Sequence, residues 1–132
     1  MLKKYIFRIA FISWMVFVTL SSLSSFSEVS TPTFNIPHLD KAVHFTFYFM
    51  TVVLGVLAIR ENFKGAISLI KSIFMMICIA IIFGMIIEVV QSVYTSDRQG
   101  DVLDVLANSI GAFFGGWITK IYFSRKWALK WK

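Results

Sequence analysis

Residues 72–93 read SIFMMICIAIIFGMIIEVVQSV, and the only charged residue in this long apolar run is Glu88. A helix needs about 20 apolar residues to cross the hydrocarbon core of a bilayer, so this run is long enough to span a membrane. Similar runs lie at about 5–23, 42–59 and 102–123. The sequence therefore predicts an all-α, polytopic membrane protein with four transmembrane helices in a small bundle.

The composition of the whole chain also indicates a membrane protein. The chain has 132 residues, of which 58% are hydrophobic and 15% are charged, whereas a soluble domain carries about 25% charged residues. This composition excludes a soluble multidomain enzyme. We expect a single membrane domain over residues 1–132.

The positive charges are unevenly divided between the two sides of the predicted spans. If the N-terminus is cytoplasmic, all of the 13 Lys and Arg residues except Lys41 and Arg98 lie on the cytoplasmic side. Because positively charged segments stay in the cytoplasm, this division predicts cytoplasmic N and C termini and a multi-pass protein of the inner (plasma) membrane. The net charge of +6 is then a topology signal, so we expect membrane lipids as partners and no nucleic acid.

The first run also has features of a cleavable signal peptide, because Lys3 and Lys4 precede it and small residues follow it. The run is longer than the apolar region of about 7 to 15 residues that signal peptides carry. We therefore expect it to be retained as a span. Its cleavage would leave three spans.

Polar residues recur on one face of three predicted helices. Acids inside a span cost about 2.5 to 3.5 kcal/mol on insertion scales, so they usually face a protein interior or a water-filled cavity. Helical periodicity places the following residues on common faces: Asp40, His44 and Tyr48 on the second helix, Gly84, Glu88 and Gln91 on the third, and Asp101, Asp104, Asn108, Gly111 and Gly115 on the fourth.

These three faces lie at one level near the outer ends of their helices and predict a polar pocket that opens to the extracytoplasmic side. Gly84, Gly111 and Gly115 are expected to be helix-packing positions, since small residues let helices approach closely. Arg98, at the rim, is expected to pair with an acid or to receive an anionic group. The candidate ligand-binding residues are Asp40, His44, Tyr48, Glu88, Gln91, Arg98, Asp101, Asp104 and Asn108.

The same residues resemble a known family. The order Asp40-Lys41-x-x-His44 with Tyr48, Glu88-x-x-Gln91, Arg98, and Asp101-x-x-Asp104-x-x-x-Asn108-x-x-Gly111-x-x-x-Gly115 is similar to that of the VanZ-like family of small bacterial membrane proteins, over about residues 37–118. The namesake of this family is associated with low-level resistance to the glycopeptide antibiotic teicoplanin. The resemblance thus implies a bacterial cell-envelope protein, and it implies a fold rather than a reaction.

Three interpretations of the pocket stay open. The first is a protein that binds or modulates an envelope lipid, a cell-wall precursor or a glycopeptide antibiotic. The second is an intramembrane enzyme that modifies a lipid-linked envelope substrate, with the candidate catalytic residues His44 as general acid or base and Glu88 or Asp104 orienting it. The third is a purely structural polar network that fixes the helix register.

A metal ion held by His44, Glu88 and Asp104 is a variant of the enzyme hypothesis, since one imidazole with carboxylates suits several metals. His44 is the only histidine in the predicted spans, and the sequence has no H-E-x-x-H motif. We therefore expect no metal and no cofactor. Glycines such as Gly84 and Gly111 would also fit a contact between two copies, so a homo-oligomer stays open.

Overall fold

The structure, a computed structural model, describes residues 5–24, 38–94 and 101–125. Four α-helices occupy most of these ranges: α1 is Ile6–Leu23, α2 is Leu39–Asn62, α3 is Leu69–Tyr94 and α4 is Val102–Ser124. No strand lies within the described ranges. All four helices are long and apolar enough to cross a membrane, which confirms the predicted all-α fold and its four spans.

Two helices extend beyond the predicted spans because hydropathy marks the apolar part of a helix and not its ends. The first turn of α2 contains Asp40 and its last turn contains Arg60, residues that a hydropathy pattern does not count. Similarly, α3 begins at Leu69, three residues before the predicted span. The backbone hydrogen bonds of each helix continue through these polar turns, so each helix is longer than its apolar segment.

The second helix lies at the centre of the bundle and packs against α1, α3 and α4, most extensively against α4. Its residues Tyr48, Val52 and Val56 recur every four positions and therefore share one face. They form the buried core with Ile73, Met76, Ala80 and Ala112. Since α2 contacts every other helix, the residues at each of its ends lie close to the ends of its neighbours.

Two glycines of α4 allow it to lie directly against the backbone of α2. A Cβ atom built at Gly111 would overlap the carbonyl oxygen of Phe45, and one built at Gly115 would lie 2.5 Å from the carbonyl oxygen of Phe49. A helical carbonyl group cannot move aside as a flexible side chain can. The close α2–α4 contact therefore depends on the absence of side chains at these positions.

The first helix is held by contacts at its start and near its middle. The backbone amides of Phe7 and Arg8 donate to the carboxylate of Glu61 at 3.4 and 3.0 Å. The indole of Trp14 donates to the carbonyl oxygen of Phe47 at 3.2 Å. Because the first amides of a helix have no partner within it, Glu61 of α2 acts as a cap for α1.

Candidate functional site

The candidate site lies at the end of the bundle where α2 and α4 begin and α1 and α3 end, which we call the polar end. Here Nζ of Lys41 donates to three carboxylates, those of Asp40 at 3.0 Å, Asp101 at 2.9 Å and Asp104 at 3.0 Å. The lysine side chain is only 20% exposed. Lys41 thus joins the first turns of α2 and α4, and the three carboxylates leave an excess of negative charge around it.

Asp101 also organises the start of α4. Its carboxylate accepts a hydrogen bond from the backbone amide of Leu103 at 2.8 Å, which makes it the N-cap of the helix. The hydrogen bond from Lys41, followed by that from the Leu103 amide, lowers the pKa of Asp101 below its ordinary value. The carboxylate is therefore ionised at neutral pH and fixes both the helix start and the lysine.

Deeper in the bundle, His44 lies between polar groups from two neighbouring helices. Its Nδ1 is 3.0 Å from Oδ1 of Asn108 and 3.9 Å from Oε1 of Glu88, while its Nε2 is 3.8 Å from Oδ2 of Asp104. Because the amide oxygen of Asn108 can only accept, the short contact assigns the hydrogen to Nδ1. The other ring nitrogen, Nε2, faces Asp104.

His44, Glu88 and Asp104 come from three different helices, and each offers one potential ligand atom within 4.8 Å of the others. Glu88 and His44 are buried, and the side chain of Asp104 is 14% exposed. Tyr48 lies one helical turn after His44, and Asn108 lies one helical turn after Asp104, so both lie beside these residues on the same helix faces. We call the set of His44, Tyr48, Glu88, Asp104 and Asn108 the polar cluster.

Two atoms of the polar cluster are buried without a hydrogen-bond partner in the part of the chain that the structure describes. They are the hydroxyl of Tyr48 and Nδ2 of Asn108, whose residues are 1% and 2% exposed. Both residues lie beside Gly84, since a Cβ built there would be 3.0 Å from Cε1 of Tyr48 and 3.1 Å from Nδ2 of Asn108. Gly84 therefore provides the space in which these two polar groups approach α3.

A cleft of about 260 Å³ opens beside His44. It lies between α1 and α2, whereas the sequence predicted an opening between the second, third and fourth helices. The difference arises because the facing side chains of α2, α3 and α4 pack together in the polar cluster. The end of α1, in contrast, leaves space beside the start of α2. The cleft is lined by Ser21, Ser22, Leu39, Asp40, Val43, His44 and Phe47.

Other candidate residues have different positions. Nε2 of Gln91 donates to the carbonyl oxygen of Ser22 at 2.5 Å, so Gln91 connects α3 to the end of α1. Arg98, expected at the rim, lies outside the described residues, and its position stays a prediction. Sequence reasoning did not include Ser21 and Ser22, because α1 has no polar periodicity that would have marked them.

The role of Lys41 was also missed among the candidate residues. The signal was present in the sequence, since Lys41 is one of two cations on the predicted outer side and that side carries several acids. A sequence does not show which acids a lysine pairs with, because this depends on where its long side chain extends between two packed helices. The packing of α2 against α4 directs the side chain of Lys41 toward the acids of α4.

Comparison with known proteins identifies the family. A family model described as VanZ/LLP1 matches residues 3–123, nearly the whole chain. Neither a curated protein nor a solved structure matches the chain significantly. The match includes the four helices up to the last residue but one of α4, with every residue of the polar cluster, and it confirms the resemblance seen in the sequence. The chain belongs to the VanZ/LLP1 family.

Proposed function

We propose that this VanZ-like protein lies in the inner membrane of a bacterial cell with both termini in the cytoplasm, and that its polar end binds an amphiphilic molecule of the envelope. The orientation is supported by the distribution of Lys and Arg, which would leave only Lys41 and Arg98 on the outer side. In this orientation the cleft and the polar cluster face the compartment in which cell-wall precursors and glycopeptides are found.

The observation that carries the proposal is the combination of walls in the cleft. Leu39, Val43 and Phe47 provide an apolar side, while Asp40 and His44 provide a polar one. Ligand sites commonly combine a largely apolar lining with a few polar groups that set orientation. A molecule with an acyl chain and a polar head group would satisfy both sides.

The length of the helices supports a position at the membrane surface. The 24 residues of α2 extend about 36 Å, which exceeds the hydrocarbon thickness of about 30 Å. Asp40 and Lys41, in its first turn, are then at the level of the lipid head groups. The mouth of the cleft is accessible to the polar part of a bound amphiphile from that level.

The charges favour a particular polar group. Among the described residues, Lys41 faces three carboxylates, and His44 is near two acids. This excess of negative charge favours a ligand with hydroxyl, amide or amine groups over a ligand with an anionic group. An envelope lipid, a lipid-linked cell-wall precursor or a glycopeptide can present such groups, and the carboxylates would accept their hydrogen bonds.

Filling the cleft tests the proposal. Val43 lines the cleft and is 39% exposed, while Leu106, also one turn from the start of its helix, is 51% exposed on α4. We expect Val43→Trp to reduce co-purifying envelope lipid several-fold, measured by mass spectrometry of the detergent-solubilised protein. The same variant should lose any protection against teicoplanin that the wild type confers on a sensitive host. Leu106→Trp should retain both properties, because its ring would enter the lipid.

The experiment has a clear negative result. If Val43→Trp is inserted at the wild-type level and binds as much envelope lipid as Leu106→Trp, the cleft is not the binding site. Mass spectrometry would also identify the bound class. A lipid bound equally by both variants and the wild type would have to occupy a different surface.

One observation favours an enzyme as the second candidate. His44 is close to both Asp104 and Glu88 and lines the cleft, which is an arrangement suited to a general acid or base oriented by carboxylates. In this case the protein would convert the bound amphiphile instead of retaining it. Incubation of the purified protein with the lipid identified above would show a change in lipid mass that His44→Gln abolishes.

A further inference from the structure

We propose that His44, Glu88 and Asp104 bind one divalent transition-metal ion, whose remaining position is taken by a water molecule held by Tyr48 and Asn108. The proposal does not rest on lipid binding, because the ligand atoms come from the bundle itself. It gives the polar cluster a role beyond helix packing, and it requires no residue outside the described ranges.

Two properties support this set of ligands: the types of the three residues and the short distances between their ligand atoms. One imidazole and two carboxylates suit the first-row divalent metals, including Zn²⁺ and Mn²⁺. The three potential ligand atoms lie within 4.8 Å of one another. Metal bonds of about 2.0 to 2.2 Å keep ligands within about 4 Å of each other, so binding requires the side chains to close by roughly an ångström.

The histidine is oriented to offer Nε2 to a metal, whereas Glu88, whose Oε1 lies 3.9 Å from Nδ1, must turn toward Nε2 to share it. The contact of Nδ1 with Oδ1 of Asn108, at 3.0 Å, leaves Nε2 on the side of Asp104, whose Oδ2 is 3.8 Å away. In metal sites a ligating histidine usually donates its other ring N–H to an oxygen acceptor, which fixes the ring. Asn108 performs this function here.

A second observation points to the water molecule. The Tyr48 hydroxyl and Nδ2 of Asn108 are buried without a hydrogen-bond partner among the described residues. Buried polar groups are normally satisfied. Nδ2 can only donate, so it would not bind the metal, but it would donate to a metal-bound water. Asn108 thereby contacts the histidine through its oxygen and the water through its nitrogen.

The negative charge of the site and the cleft beside it both favour a bound cation. The two carboxylates of the proposed ligands are largely withdrawn from solvent, where unbalanced negative charge is costly. Lys41 contacts Asp104 but is shared with Asp40 and Asp101. A cation can reach the site through the cleft, since His44 lines the cleft as well as the cluster.

The test uses the full chain purified in detergent, stripped with EDTA, dialysed and titrated with ZnCl₂ in the absence of envelope lipid. We expect one Zn²⁺ per chain by elemental analysis and a rise in melting temperature, with no comparable rise in MgCl₂. Titration with CoCl₂ should give visible d–d absorption at one equivalent. His44→Gln and Asp104→Asn should weaken Zn²⁺ binding by more than tenfold, and Asn108→Ala by about tenfold.

Glu61→Gln is the matched control. Glu61 is a carboxylate at the opposite end of the bundle that caps α1, so its variant should melt earlier and yet retain the increase caused by Zn²⁺. The proposal is overturned if the wild type binds no Zn²⁺ and shows no Co²⁺ absorption, or if His44→Gln and Asp104→Asn bind as the wild type does. The wild-type Co²⁺ spectrum decides the question if a variant fails to fold.

Discussion

At the level of single residues, Lys41 is the lysine that joins the acids in the described part of the polar end. Nζ of Lys41 contacts three carboxylates that come from two helices, and two of these carboxylates, those of Asp40 and Asp101, remain partly exposed. Among the described residues, removing the lysine would leave Asp104 without a Lys or Arg partner in a region with little access to water. The stability of the α2–α4 contact at this end should therefore respond to Lys41 more than to any single acid.

We expect Lys41→Met to lower the free energy of unfolding by about 1 to 2 kcal/mol. A hydrogen bond to a charged group contributes about 1.5 to 3 kcal/mol, and the exposure of Asp40 and Asp101 to solvent reduces that contribution. The measurement is thermal or denaturant unfolding in detergent. Asp104→Asn in the Lys41→Met background should restore part of the loss, since it removes the unpaired charge. A Lys41→Met protein as stable as the wild type would show that the lysine cluster is not a stabilising contact.

Asp101 gives a prediction for pH. Its pKa is lower in the folded protein because of Lys41 and the Leu103 amide, so the stability it provides is present above the pKa of the unfolded chain, about 3.9. That contribution is lost as the pH falls through the lower, folded pKa. Melting temperatures measured between pH 7 and pH 3 should therefore fall in acid, and Asp101→Asn should reduce this fall. An identical acid dependence in both proteins would contradict the assignment.

At the scale of helices, the α2–α4 contact depends on glycines that face a backbone. The Cβ of Gly111→Ala would overlap the Phe45 carbonyl, whereas a Cβ at Gly116 meets side-chain atoms, Cγ2 of Ile73 and Cδ1 of Ile77, at 2.9 Å. Gly111→Ala should consequently destabilise the protein by about 1 to 3 kcal/mol. Gly116→Ala should cost less because side chains can shift where a helical carbonyl group cannot. Denaturant unfolding of the two variants in detergent compares these costs, and an equal effect would contradict the backbone contact.

The capping of α1 by Glu61 gives a second prediction at this scale. Because Glu61 accepts from the amides of Phe7 and Arg8, Glu61→Ala should cost about 1 kcal/mol, the usual effect of removing a helix cap. The loss should appear as faster proteolysis or hydrogen exchange at the start of α1, while α3 and α4 are unaffected. Unchanged exchange at residues 6–10 would exclude a capping role.

Four helices could be predicted from the sequence because each contains a long apolar run, and the placement of His44, Glu88 and Asp104 on facing sides follows from helical periodicity. The position of the cleft could not be predicted in this way. It depends on how α1 lies on α2, which is determined by contacts such as that of Trp14 with the Phe47 carbonyl. The bond from Gln91 to the Ser22 carbonyl likewise involves a backbone atom that no residue pattern reveals.

At the scale of the whole molecule, the charge distribution and the fold support one orientation. All four helices of the described residues are long enough to span, and four spans would place both termini on the same side. Large apolar side chains such as Ile82, Ile86 and Phe113 are more than half exposed, as expected for a surface in contact with lipid. The polar end would then project into the extracytoplasmic head-group region.

The orientation can be checked with fusions to the C-terminus. A green fluorescent protein fused there should be fluorescent, and alkaline phosphatase fused at the same point should be inactive, because the predicted location is the cytoplasm. The reverse pair of results would place the polar end in the cytoplasm and would exclude a site for extracytoplasmic molecules. Fusion proteins present at equal levels in the membrane provide the comparison.

The proposed function requires the polar cluster and its cleft to serve a bound molecule and not helix packing alone. The most direct measurement is the teicoplanin susceptibility of a sensitive host that contains the wild type or His44→Gln at equal levels of folded, membrane-inserted protein. We expect the wild type to lower susceptibility, and His44→Gln to insert and melt similarly but lose most of this effect. A His44→Gln variant that protects as well as the wild type, or that loses protection only in proportion to its loss of folded protein, would contradict the claim.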